Sequence, residues 1–187
     1  MILMKDIIRE GNSHLKRKAV ACKIPVTIED RKTCLSLLEY VINSQNDQKA
    51  EELNLRPAVG LAAPQIDINK RMFAILTNDE EGNPHCYAMI NPKITKRSSQ
   101  MTYLPDGEGC LSVDRETHGL TPRNYEIEIE GYSFNFQKND FELIKKKLKG
   151  YVAVVFQHEY DHLDGILYVD KLYDIIENAK PLFSDED

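Results

Sequence analysis

The chain has 187 residues, of which 42% are apolar and 29% are charged, and its formal net charge is −6. These values predict one globular domain spanning residues 1–187. We expect a cytoplasmic protein without a membrane partner, because no stretch approaches the ~18 apolar residues of a membrane span. The mild acidic excess argues against non-specific binding of nucleic acid, and no specific nucleic-acid sequence is expected as a partner.

The first predicted element is a helix over residues 28–44. Thr27 and Asp30 have the spacing of a capping box, in which an N-cap hydroxyl is followed three residues later by a carboxylate. Apolar residues then recur at helical spacing, at Leu35, Leu38, Val41 and Ile42. A short helical turn is expected afterwards, near residues 48–53, and the apolar stripe predicts packing against the core.

The middle of the chain is rich in predicted strands. Residues 71–77 and 87–95 indicate two strands joined by a polar loop at 78–84. Residues 125–137 alternate between apolar and charged side chains, which is typical of a strand with one solvated face. The lysine-rich residues 141–150 predict an edge strand, because lysines discourage edge-to-edge pairing.

A second long helix is predicted over residues 151–163, between Gly150 and the Asp164-Gly165 pair. Gly165 suits the left-handed position that follows many helices. Residues 166–173 are predicted to form a last short strand, and the acidic tail at 184–187 is expected to fray. This element order predicts an α+β fold in which mostly antiparallel β-sheets wrap around one central helix.

Residues 158–162 read His-Glu-Tyr-Asp-His and fall on this central helix. Because side chains four residues apart lie on nearly the same helix face, His158 and His162 can bind one metal ion together. Glu159 borders that face, where it can contact a water on the metal without being a ligand. The apolar stripe of Val152, Val155 and Phe156 continues into Glu159, which favours a buried cluster. The alternative is a solvated helix with incidental polar residues.

A hydrolytic metal site requires a third protein ligand and an open position for water. Downstream of His162 the chain offers carboxylates, such as Asp170 and Glu177, but no histidine. Upstream, Cys110 stands in the stretch GEGCLSV at 107–113, where glycine permits the close approach of a ligand. The alternative for Cys110 is a buried small apolar residue, which is the usual role of a free cysteine.

Gln65 is the single amide in a small and apolar stretch, VGLAAPQI at 59–66. Its side chain can donate an N–H to a reacting oxygen. The alternative is a tight turn between the helical region and the first strand, with Gln65 on the surface. The residues alone leave both interpretations open.

Together these stretches resemble the peptide deformylase family. The resemblance rests on GLAAPQ at 60–65, EGCLS at 108–112 and HEYDH at 158–162, which stand in the family's order along nearly the whole chain. The long segment before GLAAPQ and the SVDR at 112–115 are similar to the form found in low-GC Gram-positive bacteria. One departure is Ala58, where the family usually has glycine, and it raises a question about the geometry of that loop.

The resemblance implies a metal-dependent hydrolase that removes the formyl group from the N-terminal formylmethionine of nascent polypeptides. Glu159 would be the general acid and base, and the Gln65 side chain and the Leu111 backbone N–H would form the oxyanion hole. The metal is expected to be ferrous iron, for which zinc, nickel or cobalt can substitute. The implied metal ligands are Cys110, His158 and His162.

The same resemblance assigns the contacts with the substrate. Val59, Tyr151 and Val154 would line a pocket for the methionine side chain, although ordinary core packing is an equal alternative for the last two. Strand-like contacts with the peptide backbone are expected near Val59 and Gly60. A nascent substrate suggests contact with the ribosome, which no motif in the sequence indicates.

Two other functions stay open on the residues alone. A small metallopeptidase would use the same helix with a downstream carboxylate as third ligand, and Cys110 would be dispensable. A structural zinc module would need a fourth protein ligand and would unfold without its metal. Arg123 either pairs with Glu108 behind the metal loop or is a surface charge. Three further histidines are expected on the surface rather than as ligands, namely His14, His85 and His118.

Overall fold

The structure is a computed structural model, and it describes residues 1–183 of the chain. The tail predicted to fray, residues 184–187, lies outside the described residues. The α-helices of the described part are α1 (Ile28–Ser44), α2 (Asp47–Leu53) and α3 (Gly150–Leu163). Short 3-10 helices cover Met4–Asp6, Ser13–Lys16, Ala63–Ile66 and Tyr168–Lys171.

Helix α1 begins at the predicted cap, where Thr27 Oγ1 accepts a hydrogen bond from the backbone N–H of Asp30 at 3.1 Å. Leu38 and Val41 are buried as predicted, whereas Ile42 is largely exposed. The predicted bounds of α1, and the short helical turn that follows it, are therefore confirmed, and the apolar stripe is confirmed except at Ile42.

The strands of the described part are β1 (Gly60–Ala62), β2 (Met72–Asn78), β3 (Pro84–Arg97), β4 (Met101–Tyr103), β5 (Arg123–Asn124), β6 (Glu126–Asn135), β7 (Asp140–Lys149) and β8 (Ala179–Pro181). The larger sheet has the order β1-β2-β3-β6-β7, and each neighbouring pair is antiparallel. All four predicted strands of the middle region are present, and the lysine-rich strand β7 lies at the sheet edge as predicted. Strand β1 forms the opposite edge.

The smaller sheet has the order β5-β4-β8, and its β4–β8 pair is parallel. The prediction of a last strand at residues 166–173 is wrong. The Asp170 carboxylate accepts a hydrogen bond from the backbone N–H of Leu167 at 2.9 Å, and this bond helps to close a 3-10 turn at Tyr168–Lys171. The last strand lies further along, at β8.

Strand β7 runs into α3 without a loop. Lys149, the last residue of β7, pairs with Glu126, and Gly150 then turns the chain into the helix with a φ of +60°. Glu80, in the β2–β3 connection, accepts a hydrogen bond from the backbone N–H of Tyr151 at 2.8 Å. Gly165 has a φ of +74° just beyond the C-terminal end, as predicted. The larger sheet thus fixes where α3 starts.

Helices α1 and α3 bury opposite faces of the larger sheet. Met72 and Ala74 of β2 point into the apolar cluster that α1 covers, while Phe73 points into the cluster that α3 covers. Phe156 of α3 meets Phe73 edge to face, with ring centroids 5.0 Å apart. Helix α3 also contacts β5 of the smaller sheet, and the predicted α+β fold with mostly antiparallel sheets is confirmed. Among residues 1–183, none of the helices combines the length and apolar character needed to cross a membrane.

Candidate metal centre

Helix α3 carries His158, Glu159 and His162 on its buried side. The residues one and two turns earlier, such as Val152, Val155 and Phe156, pack into the core below it. Glu159 is 3% exposed and His162 is 1% exposed, so the interpretation of a solvated helix is wrong. Two imidazoles and a carboxylate in such a place require compensation by hydrogen bonds, opposite charges or a cation.

Cys110 approaches this helix from the long loop between β4 and β5. Gly107 opens the loop with a φ of +79°, a conformation that favours glycine. The Cys110 Sγ lies 3.4 Å from His162 Nε2. Within residues 1–183, Cys110, His158 and His162 form a group whose ligand atoms all lie within 4.8 Å of one another. One sulfur and two imidazole nitrogens are donors that suit a divalent transition metal, and three ligands leave a position open.

The charges around the cluster also favour a cation. Burial alone would lower the pKa of His158, but the neighbouring Cys110 sulfur and the hydrogen bond with Glu108 outweigh burial and raise that pKa well above its ordinary value. Burial, together with the charges of His158 and Arg123, lowers the pKa of His162 far below its ordinary value. His162 is therefore held neutral, as a ligand must be, and a positive charge is favoured between His158 and Cys110. The donors present fit a metal ion.

A buried ion-pair network stands behind His158. Glu108 Oε2 lies 2.7 Å from His158 Nδ1, which fixes the ring so that Nε2 faces the cluster. Arg123 donates to both oxygens of Glu108, at 2.7 and 2.8 Å, and to Asp161 at 2.6 Å. Lys171 also donates to Asp161, at 2.9 and 3.0 Å. Of the two interpretations of Arg123, pairing with Glu108 is therefore the one that the structure shows.

The same network sets the charge of Glu108. Burial alone would raise its pKa, but the charge and hydrogen bonds of Arg123 outweigh burial and lower that pKa to about 2. Glu108 is thus an anion that is permanently available to His158. Sequence reasoning missed the part that Asp161 plays, although an acidic residue three positions after His158 on the same helix face was a signal for it.

Glu159 lies beside the three donors, and burial raises the pKa of its carboxyl to about 7. Among the described residues its Oε2 is buried without a hydrogen-bond partner. The backbone of Gly60 in β1 packs directly against this side chain. A Cβ at Gly60 would lie 2.7 Å from Cδ and 2.8 Å from Cγ of Glu159, which is closer than real Cβ contacts. Sequence reasoning missed this contact, in which a residue with a Cβ at position 60 would have to displace the Glu159 side chain.

Gln65 is 2% exposed, so the interpretation that placed it on the surface is wrong. Its Oε1 accepts a hydrogen bond from the backbone N–H of Ala62 at 2.9 Å. This bond orients the amide so that Nε2 donates to Cys110 Sγ at 3.3 Å and to Ser112 Oγ at 3.2 Å. One amide N–H therefore points at the sulfur of the metal-binding cluster.

A cavity of about 350 Å³ opens onto this cluster. Cys110, His158, Glu159 and Gln65 form its inner end, and Leu111 borders them. Its other walls are largely apolar and include Val59 just before β1, Gly60 of β1, Tyr151 and Val154 of α3, and Leu104 after β4. Nine of the ten site residues predicted from the sequence line this cavity. The tenth, His162, does not line it, but its Nε2 lies 3.4 Å from the sulfur of Cys110, which does.

Within residues 1–183, β1 pairs with β2 alone in the larger sheet, so its other edge carries no strand, and Gly60 of β1 lines the cavity. Just before β1, the backbone carbonyl of Ala58 accepts a hydrogen bond from Gln45 Nε2 at 2.9 Å, and the Ala58 N–H donates to Ser44 Oγ at 3.2 Å. Ala58 is not among the residues with positive φ. Alanine is therefore accepted here without backbone strain, although the family usually has glycine.

The other sequence candidates lie elsewhere. His14 pairs with Asp67, and His85 lies 3.2 Å from Asp79. His118 is exposed, as expected. Asp170 pairs with Lys16, outside the metal-binding cluster. Within the described chain no downstream carboxylate joins the cluster, and no fourth His, Cys, Asp or Glu does so.

The family model described as polypeptide deformylase matches residues 4–177. The peptide deformylase of Shouchella clausii is 48% identical over 172 residues, which cover 92% of this chain and 91% of the relative. The peptide deformylase of Staphylococcus epidermidis strain RP62A is 45% identical over 183 residues, which cover 97% of this chain and 95% of the relative.

Solved structures are similar as well. The crystal structure of a probable peptide deformylase from Synechococcus phage S-SSM7 superposes with a TM-score of 0.66 at 31% identity, over 89% of this chain and 98% of that one. The Met-Ala-Ser bound class I type b peptide deformylase from Acinetobacter baumannii gives a TM-score of 0.66 at 26% identity, over 89% and 96% of the two chains.

Proposed function

Since the chain belongs to the peptide deformylase family, it is a hydrolase that removes the formyl group from the N-terminal formylmethionine of nascent polypeptides, and we propose that Cys110, His158 and His162 hold its metal. One observation carries this assignment. The three donor atoms lie within 4.8 Å of one another at the inner end of a cavity, next to the buried carboxylate of Glu159.

The metal is ferrous iron in this proposal, and zinc, nickel or cobalt can replace it. Thiolate and imidazole ligands suit all four ions, and the family favours iron. A divalent ion held by these ligands supplies Lewis acidity, which polarises a carbonyl and activates water near neutral pH. Glu108 keeps the His158 ring oriented, since its Oε2 lies 2.7 Å from Nδ1 of that ring.

Glu159 is the general acid and base. It accepts a proton from the attacking water and returns that proton to the leaving amine of the methionine. Its position supports this role, because Oε2 is buried without a partner among the described residues and the carboxylate borders the cavity. The close backbone of Gly60 restricts where the carboxylate can move.

Gln65 and the Leu111 backbone N–H stabilise the oxyanion that develops on the formyl oxygen. Gln65 Nε2 lies 3.3 Å from Cys110 Sγ, so a formyl oxygen near the metal-binding cluster is within its reach. The Ala62 N–H fixes the other end of the amide at 2.9 Å, so little reorganisation is needed when charge develops.

The remaining walls select the substrate. Val59, Tyr151 and Val154 form the apolar pocket for the methionine side chain. The peptide backbone adds to the free edge of β1 near Val59 and Gly60, so that main-chain hydrogen bonds accept many sequences. Nascent formylated chains are made in the cytoplasm, so we expect the enzyme to act there, close to the ribosome.

The test is formate release from formyl-Met-Ala-Ser, compared with acetyl-Met-Ala-Ser, by protein purified anaerobically with ferrous iron. We expect hydrolysis of the formyl peptide alone. Cys110→Ser should lose both metal and activity, whereas Glu159→Ala should keep the metal and lose about 10²–10⁴-fold in rate. Cys86→Ser, at an exposed cysteine outside the cluster, is the matched control.

Each alternative has its own signature in this experiment. A metallopeptidase would cut internal peptide bonds and would tolerate Cys110→Ser. A structural zinc module would unfold when a chelator removes its metal and would tolerate Glu159→Ala. Activity that survives in Cys110→Ser would overturn the proposed ligand set.

A further inference from the structure

The C-terminal end of the described chain reaches the wall of the catalytic cavity. Strand β8 pairs in parallel with β4, with Met101 opposite Ala179 and Tyr103 opposite Pro181. The pairing is reinforced beyond the strands, because the Leu182 N–H donates to the Tyr103 carbonyl at 2.9 Å. The Leu182 side chain is buried. This segment is therefore anchored to the smaller sheet.

Two cavity residues lie beside this anchored segment. Leu104 follows Tyr103 directly in the chain and lines the cavity. Tyr151, in the first turn of α3, lines the same cavity, and its ring meets Phe183 edge to face with centroids 5.6 Å apart and an interplanar angle of 61°. The segment at 179–183 therefore pairs with the strand that leads into Leu104 and also contacts the Tyr151 ring.

The Tyr151 ring is partly buried and packs against the apolar cluster under α3, and Phe183 adds one more contact that restricts it. Its backbone N–H is fixed by Glu80, but a tyrosine at the first turn of a helix keeps freedom of its side-chain torsions unless a neighbour restricts them. Phe183 supplies an edge-to-face contact, which is the favoured geometry for two aromatic rings. Phe183 itself is 61% exposed, so core packing does not explain its placement.

We propose that Phe183 is a positioning residue that holds the Tyr151 ring against the methionine pocket, so that the C-terminal segment takes part in selecting the substrate side chain. The inference rests on the proposed role of Tyr151 in that pocket. Phe183 acts through Tyr151 and does not contact the reacting atoms. Its contribution is to substrate binding rather than to the rate of the chemical step.

The experiment compares Phe183→Ala with wild-type protein on formyl-Met-Ala-Ser and formyl-Ala-Ala-Ser. Losing one edge-to-face contact predicts a rise of about 2- to 12-fold in KM for the methionine peptide, with kcat nearly unchanged. The inhibition constant of the product Met-Ala-Ser should rise by the same factor. The alanine peptide does not reach Tyr151 with its side chain, so its KM should stay the same.

Phe136→Ala is the matched control, since Phe136 is 59% exposed and meets Phe134 edge to face with centroids 5.1 Å apart, away from the cavity. It should leave KM unchanged for both peptides. Phe183→Tyr keeps the ring contact and should restore the wild-type KM. Unchanged KM in Phe183→Ala, or an equal rise for both peptides, would overturn the inference. Absence of formate release by wild-type protein would instead overturn the proposed function.

Discussion

Replacing Arg123 with methionine removes the cation that neutralises the Glu108 carboxylate, which is buried, and the Asp161 carboxylate, which is partly buried, behind the metal-binding cluster. Methionine keeps much of the length of the side chain and removes its charge and its donors. Asp161 retains Lys171 as a partner, at 2.9 and 3.0 Å. Glu108 keeps its contact with His158, but among the described residues it has no lysine or second arginine partner. The cost of the substitution therefore falls mainly on Glu108.

The expected loss follows from the burial of this pair. Arg123 is 2% and Glu108 is 4% exposed at the side chain, and removing one partner of such a pair costs about 3–5 kcal/mol in the free energy of unfolding. For a protein of this size, about 1 kcal/mol corresponds to a shift of about 2–4 °C in Tm, so Tm should fall by about 6–20 °C. Because Glu108 orients His158, metal affinity should also fall by about 10- to 100-fold.

The measurement is urea unfolding of the wild-type and variant proteins, with metal affinity taken from competition with a chelator. Arg115→Met is the matched control, because Arg115 donates to both oxygens of Glu10 at 2.8 and 3.0 Å but is more than half exposed. Such a surface pair is worth about 0–1 kcal/mol. If Arg123→Met unfolds as easily as Arg115→Met and binds metal as tightly as wild type, the reasoning about the buried network is refuted.

Three further outcomes are expected. Gly60→Ala should displace the Glu159 carboxylate and lower kcat by at least about 100-fold, while the metal content stays at the wild-type level. Near-normal turnover would show that the backbone of β1 can move to make room for the added methyl group. Gln65→Leu should lower kcat by about 10²–10³-fold with an unchanged circular dichroism spectrum, and a smaller loss would remove Gln65 from the oxyanion hole. Ferrous protein should lose activity in air through oxidation near Cys110, whereas zinc-loaded protein should keep its activity, since zinc has no redox chemistry; equal decay of both would contradict this.

Local sequence signals were sufficient where an element is determined by its own residues. The cap at Thr27 and the helical spacing that follows predicted α1, and Gly150 with Gly165 predicted the ends of α3. The last strand was misplaced because long-range contacts decide that region. Strand β8 exists through its pairing with β4, 78 residues earlier at Thr102 and Lys180, and nothing in its three residues indicates that partner.

The candidate site shows the same division. The spacing of His158 and His162 placed two donors on one helix face, and glycines near Cys110 indicated close approach. Sequence reasoning left open whether Arg123 pairs with Glu108 and missed Asp161, because both carboxylates meet Arg123 only in the folded chain. Nor could it show that Gly60 contacts Glu159, since 99 positions separate them and only packing brings them together.

Because β7 leads directly into α3, residues cannot be inserted or deleted between them without moving the metal-binding histidines. Lys149 is held in the ladder opposite Glu126, and eight residues separate it from His158. Deleting or inserting one residue in that interval would rotate His158 and His162 by about 100° around the helix axis, away from Cys110. The turn at residues 136–139, between β6 and β7, has no such connection to α3. Insertion scanning should therefore recover active clones at 136–139 and none at 150–157.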